Sequence, residues 1–319
     1  MTTGQSQTDI EAALAARVDA LLVGAIDMHC HSGPSVMPRQ IDHIKALEEA
    51  SAARMRALLF KDHFYSAAPI TELLKPHYAH LNVVMLSGVP LNDTSGGFNP
   101  YAVDHGLKLG ARLVWMPTFS AANHIRQNRK GHMLPTSVPM RRPKMLTVLD
   151  EDGRIKDEVK EILDQIAEFD AVLSAGHLHI SEIWPLFEEA EQRGVTRRLV
   201  QHPTYTIGAS FKDIAELTAS GAFIEHSLCM FIPESRFNYY PSEELRAVIG
   251  AGGTERTILG SDLGQVDNPT PVSGFRAVVR LCIDLGFDDA QIRRLVGGNA
   301  ATLLALPDAV KSQNQGDKI

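Results

Sequence analysis

Short apolar runs that end in polar residues alternate along this chain with longer stretches of helical periodicity. Ile10 to Leu22 spaces Ala, Leu and Val as one face of a helix does. The run Leu21-Leu22-Val23-Gly24-Ala25-Ile26 then leads into Asp27 as a buried strand. The same kind of run recurs at Met55–His63, Leu81–Leu91, Ala111–Thr118, Ala171–His179, Arg198–His202, Ala222–His226 and Thr257–Asp262, which with the first predicts eight strands. Between most of them lie amphipathic stretches of helical length, among them Asp157–Phe169, Glu182–Arg193, Phe211–Ser220 and Ser242–Gly250.

Alternating strand and helix predicts a parallel sheet. Eight such units predict an α/β fold closed into a (β/α)8 TIM barrel, whereas an open doubly wound sheet would carry a glycine-rich phosphate turn after its first strand. No such turn follows Ile26. The 319 residues suffice for one barrel domain, from about Leu21 to Leu306, after a helix at 8–22 and before a frayed tail from Ser312 to Ile319. One segment breaks the rhythm. Ala121–Leu149 holds Arg126, Arg129, Lys130, Arg141, Arg142 and Lys144, three prolines and no acidic residue. It reads as a long basic loop insertion after strand four, which a small hairpin at Asp152-Gly153 would end.

Composition narrows the partners. Hydrophobic residues at 44% and charged residues at 22% provide a large core. A formal charge of −7 with no long basic run argues against nucleic acid. No apolar run approaches the roughly 18 residues of a membrane helix, and no signal-peptide pattern opens the chain. Cys30, Cys229 and Cys282 form no paired motif, which suits a reducing compartment. The expectation is a soluble, cytoplasmic protein with a small-molecule substrate, assembling as a homo-oligomer.

In a barrel, reactive groups gather where strands stop at their carboxyl ends. Strand one stops at Asp27-Met28-His29-Cys30-His31. Its periodicity would place Asp27, His29 and His31 on one face and Met28 and Cys30 on the other, towards the helices. An isolated His-x-His pair is a weak sign. Here it is joined by Gly176-His177-Leu178-His179, Gln201-His202-Pro203 and Gly260-Ser261-Asp262-Leu263-Gly264 at strands five, six and eight. Imidazoles and a carboxylate from separate strand ends match what Zn²⁺ needs, or Mn²⁺ or Fe²⁺ in its place, with a position open for water.

This set resembles the amidohydrolase superfamily over roughly Leu21 to Leu306, including Gly298-Asn299-Ala300-Ala301-Thr302-Leu303-Leu304, and is most similar to an uncharacterised group within it. The resemblance implies that His29, His31, His177, His202 and Asp262 bind one or two divalent ions, and that Asp262 also moves protons. It implies a metal-dependent hydrolase acting through a metal-activated water on an amide, a lactone or a related C–N or C–O bond.

The chain departs from the superfamily at strand four, where a bridging carboxylated lysine is commonly found. Trp115-Met116-Pro117-Thr118 stands there instead. Lys61 ends strand two and shares a face with His63. It becomes a carbamate ligand, clamps a substrate anion as a cation, or is merely salt-bridged. Glu225 would orient a ligand histidine, touch substrate or form a structural ion pair. Asn92 would cap the next helix or bind substrate. Arg141 and Arg142 would grip an anionic substrate, or pair with acids of a neighbouring subunit. His124, His132 and His226 are expected not to be ligands, and most aromatics and methionines to be core. Two rivals remain: a metal-dependent decarboxylase or hydratase of a small carboxylic acid, and a non-catalytic metal-binding barrel. The joint presence of His29, His31, His177 and Asp262 argues against the second.

Overall fold

A computed structural model describes residues 7–128 and 136–307. The eight runs form eight parallel strands, β1 (Ile26–Cys30), β2 (Ala57–Phe60), β3 (Val84–Pro90), β4 (Leu113–Trp115), β5 (Val172–Ser174), β6 (Arg198–Gln201), β7 (Phe223–Ser227) and β8 (Thr257–Gly260), paired in that order. Closure comes just past the ends of β8 and β1. There the Asp262 N–H donates to the His29 carbonyl (3.0 Å) and the His31 N–H donates to Leu263 (2.8 Å). With helices between the strands this is a (β/α)8 barrel.

Alternation along the strands separates two environments. Ile26, Leu59, Leu86, Trp115, Val172, Leu199, Phe223 and Ile258 fill the barrel. Leu58, Phe60, Val114, Leu173, Val200, Ile224 and Leu259 face the helices. Trp115 sits so close to β3 that a Cβ on Gly88 would come within 2.5 Å of its ring. The C-terminal helix Asn299–Leu303 plugs the amino end with Ala300 and Leu303, while the Asn299 amide donates to the carbonyls of Thr254 (2.8 Å) and Thr257 (2.6 Å). The first helix spans Gln7–Leu22 and ends where the predicted one does. Among the described residues no helix is long and apolar enough to cross a membrane.

The first strand corrects the simple alternation. Its register with β2 runs Ile26↔Ala57, Asp27↔Leu58, Cys30↔Phe60, so three steps on β1 span two on β2, a bulge. Cys30 faces the helices as expected, packing with Leu58 and Phe60. Met28 does not, and joins Ile26 and Leu59 inside the barrel. Asp27 parts from the histidines: its Oδ1 accepts the N–H groups of His29 (2.9 Å) and Ser261 (2.9 Å), serving the backbone.

The basic excursion begins with the helix Ala122–Asn128. Its later part lies over the carboxyl face: Ser137 N–H donates to Val36 (2.7 Å), Lys144 N–H to the Asp93 carboxylate (2.5 Å) and Leu146 N–H to Ser120 (2.8 Å). The expected hairpin follows, with Asp150 N–H bonded to Arg154 (2.8 Å) and Leu149 bridged to Ile155. Arg129, Lys130, His132 and the tail from Ser312 fall outside the described residues.

Candidate metal centre

The bulge in β1 turns His29 into the mouth of the barrel, where Glu225 of β7 meets it from behind. Glu225 Oε1 lies 2.5 Å from His29 Nδ1, and the Gln201 amide donates to the same oxygen (3.2 Å). A carboxylate oxygen this close to Nδ1 favours the imidazole proton there, which leaves the Nε2 lone pair facing outwards. Glu225 is fully buried, and the room for it comes from β8: a Cβ on Gly260 would lie 2.7 Å from its carboxyl carbon. His31 follows the same logic, its Nδ1 standing 3.0 Å from the Lys61 carbonyl. The turn after β8, with Asp262 at φ 50°, completes the set.

Asp262 Oδ1 lies 3.3 Å from His29 Nε2 and 3.2 Å from His31 Nε2. The three ligand atoms all lie within 4.8 Å of one another. Burial drives the His31 imidazole down to about 3, so it is neutral at pH 7 with its lone pair available. Burial would raise the Asp262 carboxyl, but the neighbouring His29 and His31 side chains outweigh it and hold the carboxyl well below the ordinary range. Two imidazole nitrogens and one carboxylate oxygen, each imidazole oriented from behind, fit a divalent transition ion.

Lys61 is buried beneath this cluster, its Nζ 2.8 Å from His29 Nε2 and 5.4 Å from the centre of the Trp115 ring. Burial lowers it to about 8, against the pull of Asp262 and Glu225. The ammonium and an ion therefore compete for the same lone pair. His63 stacks on His31 (ring centres 4.9 Å apart) and holds Thr118 Oγ1 with Nδ1 (2.9 Å).

Asn92 clasps the loops after β2, β3 and β4. Its amide nitrogen donates to the His63 carbonyl (2.9 Å) and Thr118 Oγ1 (2.7 Å), and its oxygen accepts from Thr118 N–H (2.9 Å) and Ser120 N–H (3.0 Å). It precedes the turn Asp93–Ser95 but makes no side-chain capping bond.

His177 and His202 lie beside the three-ligand cluster. Their ring centres are 4.9 Å apart, and His202 is 6.0 Å from His29. Burial takes His202 to about 3 and holds His177 well below the usual value. Gly176 lets the chain reach His177, because at φ 59° a Cβ there would strike the Met116 carbonyl at 2.2 Å. Arg141 and Arg142 are exposed and stand apart from the residues lining the cleft.

Sequence reasoning passed over three features. Gln201, named only as part of a strand end, braces Glu225. His124, expected to play no ligand role, lines the cleft with its Nδ1 2.8 Å from His177 Nδ1. Phe119, Tyr205, Phe237 and Tyr239 also line the cleft although aromatics read as core. Phe119 and His124 come just after β4 and Tyr205 just after β6, so position on the carboxyl face of the barrel was the usable signal.

The barrel is a fold shared with solved structures of hydrolases. Similar solved structures include an amidohydrolase from Pseudomonas aeruginosa, at 12% identity over 91% of this chain and 98% of that one, with a TM-score of 0.59. The probable dipeptidase PvdM from the same organism matches at 12% identity over 92% of this chain and 98% of that one (TM-score 0.61). A probable 2-pyrone-4,6-dicarboxylic acid hydrolase from Acinetobacter baumannii, with citric acid bound, matches at 10% over 89% and 100% (TM-score 0.54). Residues 24–225 match the family of unknown function DUF6282, and the chain belongs to that family. No curated protein matches its sequence.

Proposed function

We propose that this protein is a metal-dependent hydrolase of an amide, lactone or related C–N or C–O bond in a small anionic substrate. The observation that carries the reading is the convergence of His29 Nε2, His31 Nε2 and an Asp262 oxygen within 4.8 Å at the barrel mouth. The ion, Zn²⁺ or else Mn²⁺ or Fe²⁺, supplies Lewis acidity and a water of lowered pKa when bound. Asp262, ionised, takes the proton of the attacking water and returns it to the leaving group. Glu225 and Gln201 keep His29 in the required tautomer, and the neutral rings of His63, His177 and His202 supply hydrogen-bonding groups around the reacting bond. Support for an anionic substrate comes from the basic segment anchored over the carboxyl face, with Arg141 and Arg142 exposed on it.

The test is turnover of a panel of amides and lactones by Zn²⁺-loaded protein, with product and CO₂ both measured. Hydrolysis is expected, reduced on the order of 10² to 10⁴ in Asp262→Asn, whose amide accepts no proton at neutral pH. Arg141→Ala with Arg142→Ala should raise KM for anionic members in a salt-dependent way. Carbon dioxide release without hydrolysis would assign a decarboxylase instead, and near-normal turnover in Asp262→Asn would remove that carboxylate from its role.

A further inference from the structure

Building on the hydrolase reading, we propose that the substrate carries a flat apolar group, an aryl ring or its equivalent, beside the bond to be cleaved. Aromatic rings line the cleft that would receive such a group. Phe119, just after β4, lies nearly parallel to His63, with centres 3.8 Å apart and planes at 16°. Because His63 in turn stacks on His31, this wall adjoins the three-ligand cluster. From the other side of the ring of strands come Tyr205, after β6, and Tyr239, after β7. Their rings are stacked 5.0 Å apart at 3°, and Tyr205 meets His202 edge-on at 6.4 Å.

Exposure is what turns these rings from packing into a ligand surface. Phe231 and Phe237 on the same stretch after β7 are 1% and 9% exposed, whereas Tyr205 and Tyr239 stay 39% and 49% exposed at the cleft mouth. Two large rings left partly in water on a concave surface gain by being covered, and offset or edge-on stacking selects a flat occupant. Met230 adds a deformable apolar contact to the same cleft. The floor supplies neutral imidazoles and one carboxylate. Among the described residues no lysine or arginine lines the cleft, so nothing there favours a purely ionic substituent over an apolar one. A charge on the substrate would lie outward, towards the basic segment.

Two hydroxamates that differ only in their substituent test this on Zn²⁺-loaded protein by titration calorimetry. Benzohydroxamate is expected to bind at least about tenfold tighter than acetohydroxamate, the gain one well-placed aromatic contact supplies. The ratio should collapse towards one in Tyr239→Ala and in Phe119→Ala, and persist in Tyr239→Phe, with acetohydroxamate binding little changed throughout. Equal affinities in the unaltered protein, or a preference that survives both alanine variants, would overturn the proposal. If the protein takes up no ion, the hydrolase reading fails separately. The aromatic grip is then read on ion-free protein from benzamide against acetamide by saturation-transfer NMR, where a preference supports it and none overturns it.

Discussion

His29 shows how much of this site depends on groups that would never touch a ligand. Its ring is useful only if Nε2 is bare, and that is decided at Nδ1 by Glu225, which Gln201 steadies in turn. Glu225→Ala should leave Nδ1 buried without an acceptor and free the ring to rotate or change tautomer. Affinity for Zn²⁺, measured by competition with a chromogenic chelator, should fall about 10- to 100-fold with the fold intact. Unchanged affinity would mean that Glu225 serves the barrel interior alone. At this scale the candidate ligands were legible because His29, His31 and Asp262 each stand where an apolar run stops. The bracing was less so, since nothing in the order of residues says that Glu225 of the seventh strand faces His29 of the first. That adjacency exists only once the sheet closes.

The elements themselves followed from hydrophobic pattern, with instructive departures. Helices matched to within a residue or two because their apolar stripes face a continuous core; Asp157–Glu168, for example, buries Val159, Ile162, Leu163 and Ile166. Strands came out shorter than the runs that foretold them, since residues such as Lys61 and His63 continue the alternation after the ladder has ended. The bulge in β1 escaped the pattern because an added residue changes no residue type, only the phase, and so Met28 was assigned to the wrong face. Gly88 on β3 leaves the space into which the Trp115 ring packs. Gly88→Ala should force that ring or the Leu113 carbonyl to move, costing roughly 1–3 kcal/mol in urea unfolding. A change below 0.5 kcal/mol would show that the ring has room to give.

Across the whole molecule, buried neutral imidazoles link stability to pH. Burial lowers His31 and His202 to about 3, and His43 and His226 to about 4. In the unfolded chain each returns to about 6.5. The unfolded state therefore binds more protons below that value, and stability present above about pH 6.5 is lost as the pH falls towards 4. Urea unfolding of ion-free protein should show a steady fall in midpoint from pH 7.5 to pH 5, on the order of several kcal/mol in total. A flat profile would mean that these rings take up protons while folded.

The barrel, its eight strands and the basic excursion were legible because each is a feature of pattern or composition. The pairing of aromatic walls across the mouth was not, because it arises from loops that approach one another only when β4, β6 and β7 stand around one axis. We propose that three side chains from the two ends of the sequence, His29, His31 and Asp262, hold one ion between them. Metal content after Zn²⁺ reconstitution and exhaustive dialysis tests this most directly, with the unaltered protein, Cys30→Ala and His29→Ala compared by mass spectrometry of the metal. At least about one equivalent should remain in the first two and be lost from His29→Ala, because Cys30 faces the helices and His29 the mouth. No retained transition metal in the unaltered protein, or equal loss from both variants, would contradict it.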